Sequence, residues 1–492
     1  VIWRLALRGL LDRPWRSAFL LGGFGLGVGV MITLLAIGEA MVAQSLDEKL
    51  VGGGDVTVLP EGLDLEVMKT GGVGGMFVSI ANARFVHRQL LASPRLASQV
   101  AAVAPQTDGV LFYVRHAGIE HPVRAIGELP SATAAVGAAP TIVAGAWTDD
   151  DADRRWLAPS LVELRDEIDR FHHTPDAVPA DERRTWGEWH YFNVLSDDGK
   201  RWAFLTLAVG GDVPRGEWGG QVLLTVHEEG RGARRFVRLV PSARIRLDTA
   251  RANLALGEDR VDLLPDGRYR VTAAAVEAGT GARATIALTV TPAPHAYFPG
   301  ASIGGEALLS GYAVPALRAD ADGELCVDGR CERFRAAQAY HDHNWGVWRD
   351  VQWEWGAARA GAFTFLYGRV HRGDADDVRE PLFVYLVDSL GFRAIFRPAT
   401  IRYEDGGTRI VDGRTIRVPA RAVMEDVRGT DTLRIGLEIE DAMASDVRRT
   451  PAARGDATRP LLVQMKGIAR LTGRLGGVPL AGEGRGFFET YR

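Results

Sequence analysis

The chain has 492 residues, too many for one core, and a prior of roughly 150 residues per domain points to about three units. Its 46% hydrophobic and 24% charged composition is that of an ordinary globular protein. A formal net charge of -4, from 58 basic and 62 acidic residues, leaves no basic field for a nucleic acid.

The first element in chain order is a membrane span. Residues 17–38 carry no charge, and about 20 such residues cross a bilayer core as a helix. Arg4, Arg8, Arg13 and Arg16 precede the span, whereas Glu39, Asp47 and Glu48 follow it with Lys49 alone for balance. The positive-inside rule then puts the N-terminus in the cytoplasm and the rest of the chain outside. A cleaved signal peptide is the competing reading, but the apolar stretch exceeds a usual h-region and no small-x-small site follows it. Gly25-x-x-x-Gly29 suits a close-packed partner helix, although glycine is also common in membrane helices.

With residues 1–48 as cytoplasmic end and span, residues 49–150 read as a small α+β extracytoplasmic domain. Val56-Thr57-Val58-Leu59 alternates between the turn formers Gly52-Gly53-Gly54 and Pro60-Glu61-Gly62, and Phe85 to Leu91 has helical character. Residues 129–148 are uncharged, but Pro130, Pro140 and an excess of Ala, Gly and Ser argue against a second span.

Three features of this region resemble the start of a bacterial ABC exporter permease of the lipoprotein-releasing or macrolide-exporter type. They are Arg4-Leu5-Ala6-Leu7-Arg8-Gly9-Leu10-Leu11, the Arg13-Pro14-Trp15-Arg16 entry to the Gly-rich helix, and Gly53-Gly54-Asp55-Val56-Thr57-Val58. Such permeases return with three more spans, which do not follow here. The resemblance implies a bacterial inner-membrane protein, single-pass, with its main body in the periplasm or otherwise extracytoplasmic. It also implies either an ABC transporter ATPase or permease as partner, or a tether alone.

Residues 161–168 are expected to form a surface helix. From Trp186 onward the pattern changes to short alternating apolar runs, such as residues 221–226, 269–272 and 284–290. Between such runs lie the turn signals Ser196-Asp197-Asp198-Gly199, Pro265-Asp266-Gly267, Ala321-Asp322-Gly323 and Glu404-Asp405-Gly406-Gly407. This is too much antiparallel β-structure for one small barrel and enough for two, with the join near Ile303-Gly304-Gly305. The expected domains are residues 151–308 and 309–492.

Both cysteines lie in Leu325-Cys326-Val327-Asp328-Gly329-Arg330-Cys331. Asp328-Gly329 is a type I′ hairpin signal, so Val327 and Arg330 close the turn. Cys326 and Cys331 become the next, non-hydrogen-bonded pair, whose Cα spacing a cross-strand disulfide can span. A disulfide implies an oxidising compartment. The alternative is two reduced thiols on a surface hairpin.

Two aromatic-rich segments carry the chemistry, each expected near the start of a barrel. They are Trp186-Gly187-Glu188-Trp189-His190-Tyr191-Phe192-Asn193 and Tyr340-His341-Asp342-His343-Asn344-Trp345-Gly346, with Trp353-Glu354-Trp355-Gly356 close behind. They resemble the Glu-Trp-x-Tyr-Phe and Tyr-x-Asp-His-x-Trp-Gly elements of the lipocalin-like superfamily containing carotenoid 1,2-hydratase (hydroxyneurosporene synthase) and AttH-like proteins. Pro299-Gly300, Ser310-Gly311-Tyr312, Ala313-Val314-Pro315-Ala316-Leu317-Arg318 and Gly484-Arg485-Gly486-Phe487-Phe488-Glu489 extend the likeness over residues 151 to 492. It implies two tandem lipocalin-like antiparallel barrels, a lipophilic isoprenoid or lipid ligand, and Tyr340 and Asp342 as the residues of an acid-assisted hydration, cyclisation or isomerisation. The hydratases also use a His and a Trp shortly before the Tyr-x-Asp pair, and residues 312–317 supply neither.

Strand alternation puts Tyr340, Asp342 and Asn344 on one face and His341, His343 and Trp345 on the other. If the first face meets an apolar barrel interior, desolvation keeps Asp342 protonated. Such an acid can donate to an alkene, aromatic rings can stabilise the carbocation, and water can add. The alternative for Asp342 is a buried carboxylate holding loop amides and Tyr340. Glu188, Trp189, Tyr191, His343, Asn344, Trp345, Trp353 and Trp355 are the candidate ligand-binding residues. The indoles are equally suited to a barrel core, and Glu188 and Glu354 are either paired carboxylates or polar partners of neighbouring indole N–H groups. His341-x-His343 places two imidazoles together, but two ligands make no metal site and no third is assignable, so no metal is expected. With no Gly-rich phosphate loop after a strand, Walker ATPase activity is not expected, and no cofactor is assigned. A non-enzymatic ligand carrier coupled to an ABC exporter is the alternative function.

Overall fold

The structure, a computed structural model, describes residues 3, 13–47, 55, 56, 58, 80–91, 93–137, 149–172, 174, 178–196, 198–303, 310–347, 351–372, 382–411, 414–445 and 461–491. The expected turns at Gly52-Gly53-Gly54 and Pro60-Glu61-Gly62, Thr57 and Leu59 of the expected strand, and the join at Gly304-Gly305 lie outside these residues. Two compact units are present, residues 1–78 with 102–153 and residues 79–101 with 154–492.

In the first unit, helix α1 (Pro14–Asp47) contains Pro14–Ile37, whose mean hydropathy is 2.2. It is the one helix among the described residues long and apolar enough to cross a membrane, and its length and composition suit an anchor or a signal segment alike. Phe19, Phe24 and Leu26 on it are all exposed, as lipid-facing side chains would be. Helix α2 (Ile80–Leu91) belongs to the second unit. Strands β1 (Gln106–His116) and β2 (Ile119–Glu128) then form a hairpin in the first, turned at Ala117 and Gly118 with φ of 48° and 81°, and helix α3 (Pro130–Ala135) follows.

In the second unit helix α4 (Leu161–Asp169) opens on a capping box, with Ser160 accepting from the Glu163 N–H and Glu163 from that of Ser160. It is not the surface helix expected, because Leu164, Arg165, Ile168 and Asp169 are buried and Leu164 and Ile168 pack against Tyr297 and Ala313. The charged residues between them mask this inner face in the sequence.

The strands are β3 (Trp186–Leu195), β4 (Arg201–Asp212), β5 (Glu217–Glu228), β6 (Gly232–Pro241), β7 (Ile245–Leu247), β8 (Leu254–Leu256), β9 (Asp259–Leu263), β10 (Tyr269–Glu277), β11 (Arg283–Pro292), β12 (Phe298–Ile303), β13 (Ser310–Val327) and β14 (Arg330–Val347). Eight of them close an antiparallel barrel in the order β11-β13-β14-β3-β4-β5-β6-β10, with β10 pairing back onto β11. Closure leaves no free edge among these eight strands. A second sheet holds β15 (Val351–Ala360), β16 (Phe363–Arg372), β17 (Phe383–Asp388), β18 (Gly391–Phe396), β19 (Arg402–Val411), β20 (Arg414–Arg428), β21 (Asp431–Ser445), β22 (Leu462–Leu475) and β23 (Val478–Tyr491). Its nine strands run β18-β17-β16-β15-β23-β22-β21-β20-β19.

The chain is therefore mainly β, with one closed barrel, a second sheet and an N-terminal apolar helix. The expected boundary between 308 and 309 needs correction, because β13 and β14 complete the first barrel and the second sheet starts at Val351. Consequently the two aromatic motifs do not open separate barrels. They sit on adjacent strands, His341 opposite Phe192, Asp342 opposite Tyr191 and His343 opposite His190.

Two expected turns are also interruptions within strands. The β13–β14 register shifts between Ala321 and Gly323, where Gly323 has a φ of 150°, and Asp405 has a φ of 45° inside β19. The Asp328-Gly329 turn does form, with φ of 51° and 78°, and Cys326 and Cys331 are disulfide-bonded with their Cα atoms 3.9 Å apart.

Barrel closure sorts side chains into two environments. The interior is apolar, with Phe192, Leu205, Leu224, Phe236, Tyr269 and Val271 among its residues. The outer face of β3, β4, β13 and β14 packs through Tyr191, Phe204, Tyr312 and Tyr340 against Trp355, Phe383, Tyr385 and Phe487 of the second sheet. A third cluster, with Phe365, Tyr367, Met465 and Phe488, fills the opposite side of that sheet.

Candidate functional site

Along β14 the side chains alternate between these environments. Tyr340, Asp342 and Asn344 face the second sheet, so Asp342 does not enter the barrel interior, as its expected desolvation supposed. It lines instead a cavity of about 1280 Å³ between the barrel's outer wall and the second sheet. Trp189, Tyr191, Asn344, Trp353 and Trp355 share that lining, and Tyr312, Trp218 and Glu489 join them.

A hydrogen-bond chain fixes the Asp342 carboxyl. The Trp355 indole N–H donates to the Tyr340 hydroxyl at 2.9 Å, which donates to Asp342 Oδ2 at 2.8 Å, and Asn344 Nδ2 donates to Oδ1 at 2.7 Å. Each carboxyl oxygen thus accepts one bond from the protein. A proton carried by either must take a remaining direction, and the carboxyl opens onto the cavity. Burial pushes Asp342 up to about 8, the bonds from Tyr340 and Asn344 only partly oppose it, and the nearby Glu489 charge adds to the rise.

Glu489 was not among the residues singled out in the sequence. It stands on β23, within the Gly484 to Glu489 motif but 147 positions beyond Asp342. Tyr191 donates to its Oε1 at 2.6 Å, and Gln464 Nε2 lies 3.3 Å from the same oxygen. Burial raises Glu489 to about 7 against those two bonds. Burial likewise holds the Tyr191 and Tyr340 hydroxyls well above their ordinary value, helped by Glu489 and Asp342 respectively. The wall therefore presents two carboxyl groups, each tied to a tyrosine.

Glu188, His343 and Trp345 are absent from that wall. His343 Nε2 lies 3.0 Å from Glu188 Oε1, and the His172 backbone N–H donates to both Glu188 oxygens at 2.7 and 2.9 Å. Trp345 stacks on the His172 ring at 4.3 Å. Glu354 pairs with Arg369 at 2.8 Å, so Glu188 and Glu354 are not paired carboxylates.

Inside the barrel His341 and His343 meet two residues that sequence spacing did not connect to them. Asp169, the last residue of α4, lies 3.1 Å from His341 Nε2, 2.8 Å from His343 Nδ1 and 3.4 Å from His190 Nδ1. Burial alone would raise the Asp169 carboxyl, but His190 and His341, with further contact from His341 and His343, hold it well below the usual carboxylate range. Burial pushes His190 well down, whereas contacts with Asp169 and Glu188 overcome burial and bring His343 to about 9.

No protein-family model matches the chain, and no curated protein does. Among solved structures it is similar to one described as AttH from Nitrosomonas europaea, at 16% identity and a TM-score of 0.45 over 65% of this chain and 97% of that one. Kievitone hydratase from Nectria haematococca is similar at 12% identity and a TM-score of 0.42, over 66% and 93%. CghA with Sch210972 follows at 14% and 0.43, over 63% and 89%. At these values the likenesses name no reaction for this chain, and none of the comparisons supports the permease resemblance of its first 150 residues.

Proposed function

We propose that the cavity binds a lipophilic molecule, an isoprenoid or a lipid, and that Asp342 protonates it in a hydration, cyclisation or isomerisation. The observation that carries this reading is the Asp342 carboxyl, fixed by Tyr340 and Asn344 at the wall of an aromatic-lined cavity. At about 1280 Å³ the cavity exceeds the roughly 300–1,000 Å³ of ordinary small-molecule pockets, which suits a long or polycyclic ligand.

Transfer of the Asp342 proton to an alkene carbon breaks the π bond and leaves a carbocation. The faces of Trp189, Trp353 and Trp355 offer it negative charge. Addition of water and return of one water proton to the Asp342 carboxylate completes a hydration. Attack by a second alkene followed by return of a carbon-bound proton to the Asp342 carboxylate completes a cyclisation, and that proton return alone an isomerisation. A positioned acid of this kind contributes about 10²–10⁴-fold.

The same reading places the body of the protein outside the cytoplasm, tethered through α1. Its supports are the Cys326–Cys331 disulfide, which persists in oxidising compartments, and the arginines before the span. The test is mass spectrometry of apolar membrane extracts incubated with the full chain, as wild type and as Asp342→Asn. Ligand retained by both proteins with a new mass from wild type alone supports the enzyme. Retention by both with no new mass makes the protein a carrier, and retention by neither removes the ligand reading.

A further inference from the structure

The cluster inside the first barrel is separate from the cavity, and several of its buried polar atoms have no hydrogen-bond partner. His190 Nε2 lies 2.8 Å from the Ala252 carbonyl and His341 Nδ1 lies 3.0 Å from the Tyr191 carbonyl. A carbonyl only accepts, so one ring N–H of each imidazole is committed there. The nitrogens turned inward, His190 Nδ1 and His341 Nε2, face the Asp169 carboxylate at 3.4 and 3.1 Å. His190 Nδ1, His343 Nδ1 and Asp169 Oδ1 are buried without a hydrogen-bond partner, although His343 Nδ1 lies only 2.8 Å from Asp169 Oδ1. Unpartnered polar atoms in an apolar interior are costly, and several such atoms converging on one point are an arrangement a cation resolves.

We propose that Asp169, His190 and His341 bind a divalent transition-metal ion of the zinc class inside the first barrel. The Asp169, His190 and His341 ligand atoms all lie within 4.8 Å of one another. Two imidazoles and a carboxylate are a donor set that zinc and its first-row neighbours accept, with one position of a four-coordinate shell left for water. The outer contacts fit as well. Metal-bound histidines give their second nitrogen to a carbonyl or carboxylate, as His190 and His341 do to backbone carbonyls.

The Tyr269 hydroxyl donates to Asp169 Oδ2 at 2.7 Å and orients the carboxylate. The ion would join α4 to β3 and β14 across the barrel interior, a structural role independent of the reaction proposed for Asp342. Of the His341-x-His343 pair only His341 belongs to the converging group, and the fold adds His190 from the adjacent strand and Asp169 from α4.

The test is the metal content of the full chain, purified in detergent without chelators, followed by titration of chelator-stripped protein with Zn²⁺ and Co²⁺. The expected results are about one equivalent per chain, visible Co²⁺ absorption of nitrogen–oxygen coordination, and a melting temperature that falls on stripping and returns with Zn²⁺. Tyr269→Phe keeps all three ligands and is expected to weaken affinity about 10–100-fold. His227→Gln, which removes a histidine facing Asp441 instead, is expected to retain the ion. Wild-type protein that is isolated without metal and takes up neither ion stoichiometrically would overturn the proposal, whatever the variants do.

Discussion

Asp342 and His343 are consecutive residues of β14 whose side chains enter opposite sides of one sheet. The Asp342 carboxyl meets Tyr340 and the cavity, and the His343 ring meets Glu188 at 3.0 Å inside the barrel. Two chemistries therefore share one strand, and substitutions can separate them.

Asp342→Asn keeps the shape of a protonated carboxyl and an acceptor for Tyr340, while removing the transferable proton. Turnover should fall about 10²–10⁴-fold with ligand retention preserved. Product formation and ligand retention, measured on one preparation, check this.

The pH dependence has a fixed sign. Asp342 has an ordinary value of 3.8 and a folded value of about 8. Between these the unfolded chain has lost the proton and the native chain keeps it. Its contribution to stability is thus fully present below 3.8, declines as pH rises, and is lost through about 8. Glu489, raised from 4.5 to about 7, acts in the same direction. Activity that needs protonated Asp342 should fall through about 8 as well. Melting temperatures and rates across this range check both, and Asp342→Asn should flatten the alkaline decline in stability.

Gly368 lies under Trp355, where an added Cβ would overlap the indole ring. Gly368→Ala should cost about 1–3 kcal/mol through overpacking and displace Trp355 from Tyr340 and the cavity wall. Chemical denaturation reads the first effect and ligand affinity the second.

The Cys326–Cys331 disulfide closes a loop with a sequence separation of only 5. Replacing both cysteines by serine should cost about 2 kcal/mol, the entropic expectation for so short a loop. The barrel should survive, because Asp328-Gly329 still sets the hairpin register. A urea denaturation curve with an unchanged slope would agree.

What was legible in the sequence was local. The disulfide hairpin followed from turn chemistry, and the separation of Asp342 from His343 followed from strand periodicity. The apolar helix followed from length and composition. Pairing over long distances was not legible. Asp169 meets His341 across 172 positions and Tyr191 meets Glu489 across 298, because barrel closure and sheet packing bring them together. The domain boundary was misplaced for the same reason. Nothing in residues 310–347 alone shows that they pair backward with β3 and β11, which completes the first barrel rather than starting a second. Glu188 and Trp345 belong to the interior side because the same alternation that exposes Trp189 and Asn344 to the cavity turns them away from it.

The most direct test of the acid role is transfer of a labelled proton. The full chain is incubated with apolar membrane extract in D₂O, as wild type and as Asp342→Asn, and products are returned to light water before mass spectrometry. The account predicts a wild-type product carrying non-exchangeable, carbon-bound deuterium and its absence with Asp342→Asn. A product without carbon-bound deuterium, or one formed equally by both proteins, would contradict it.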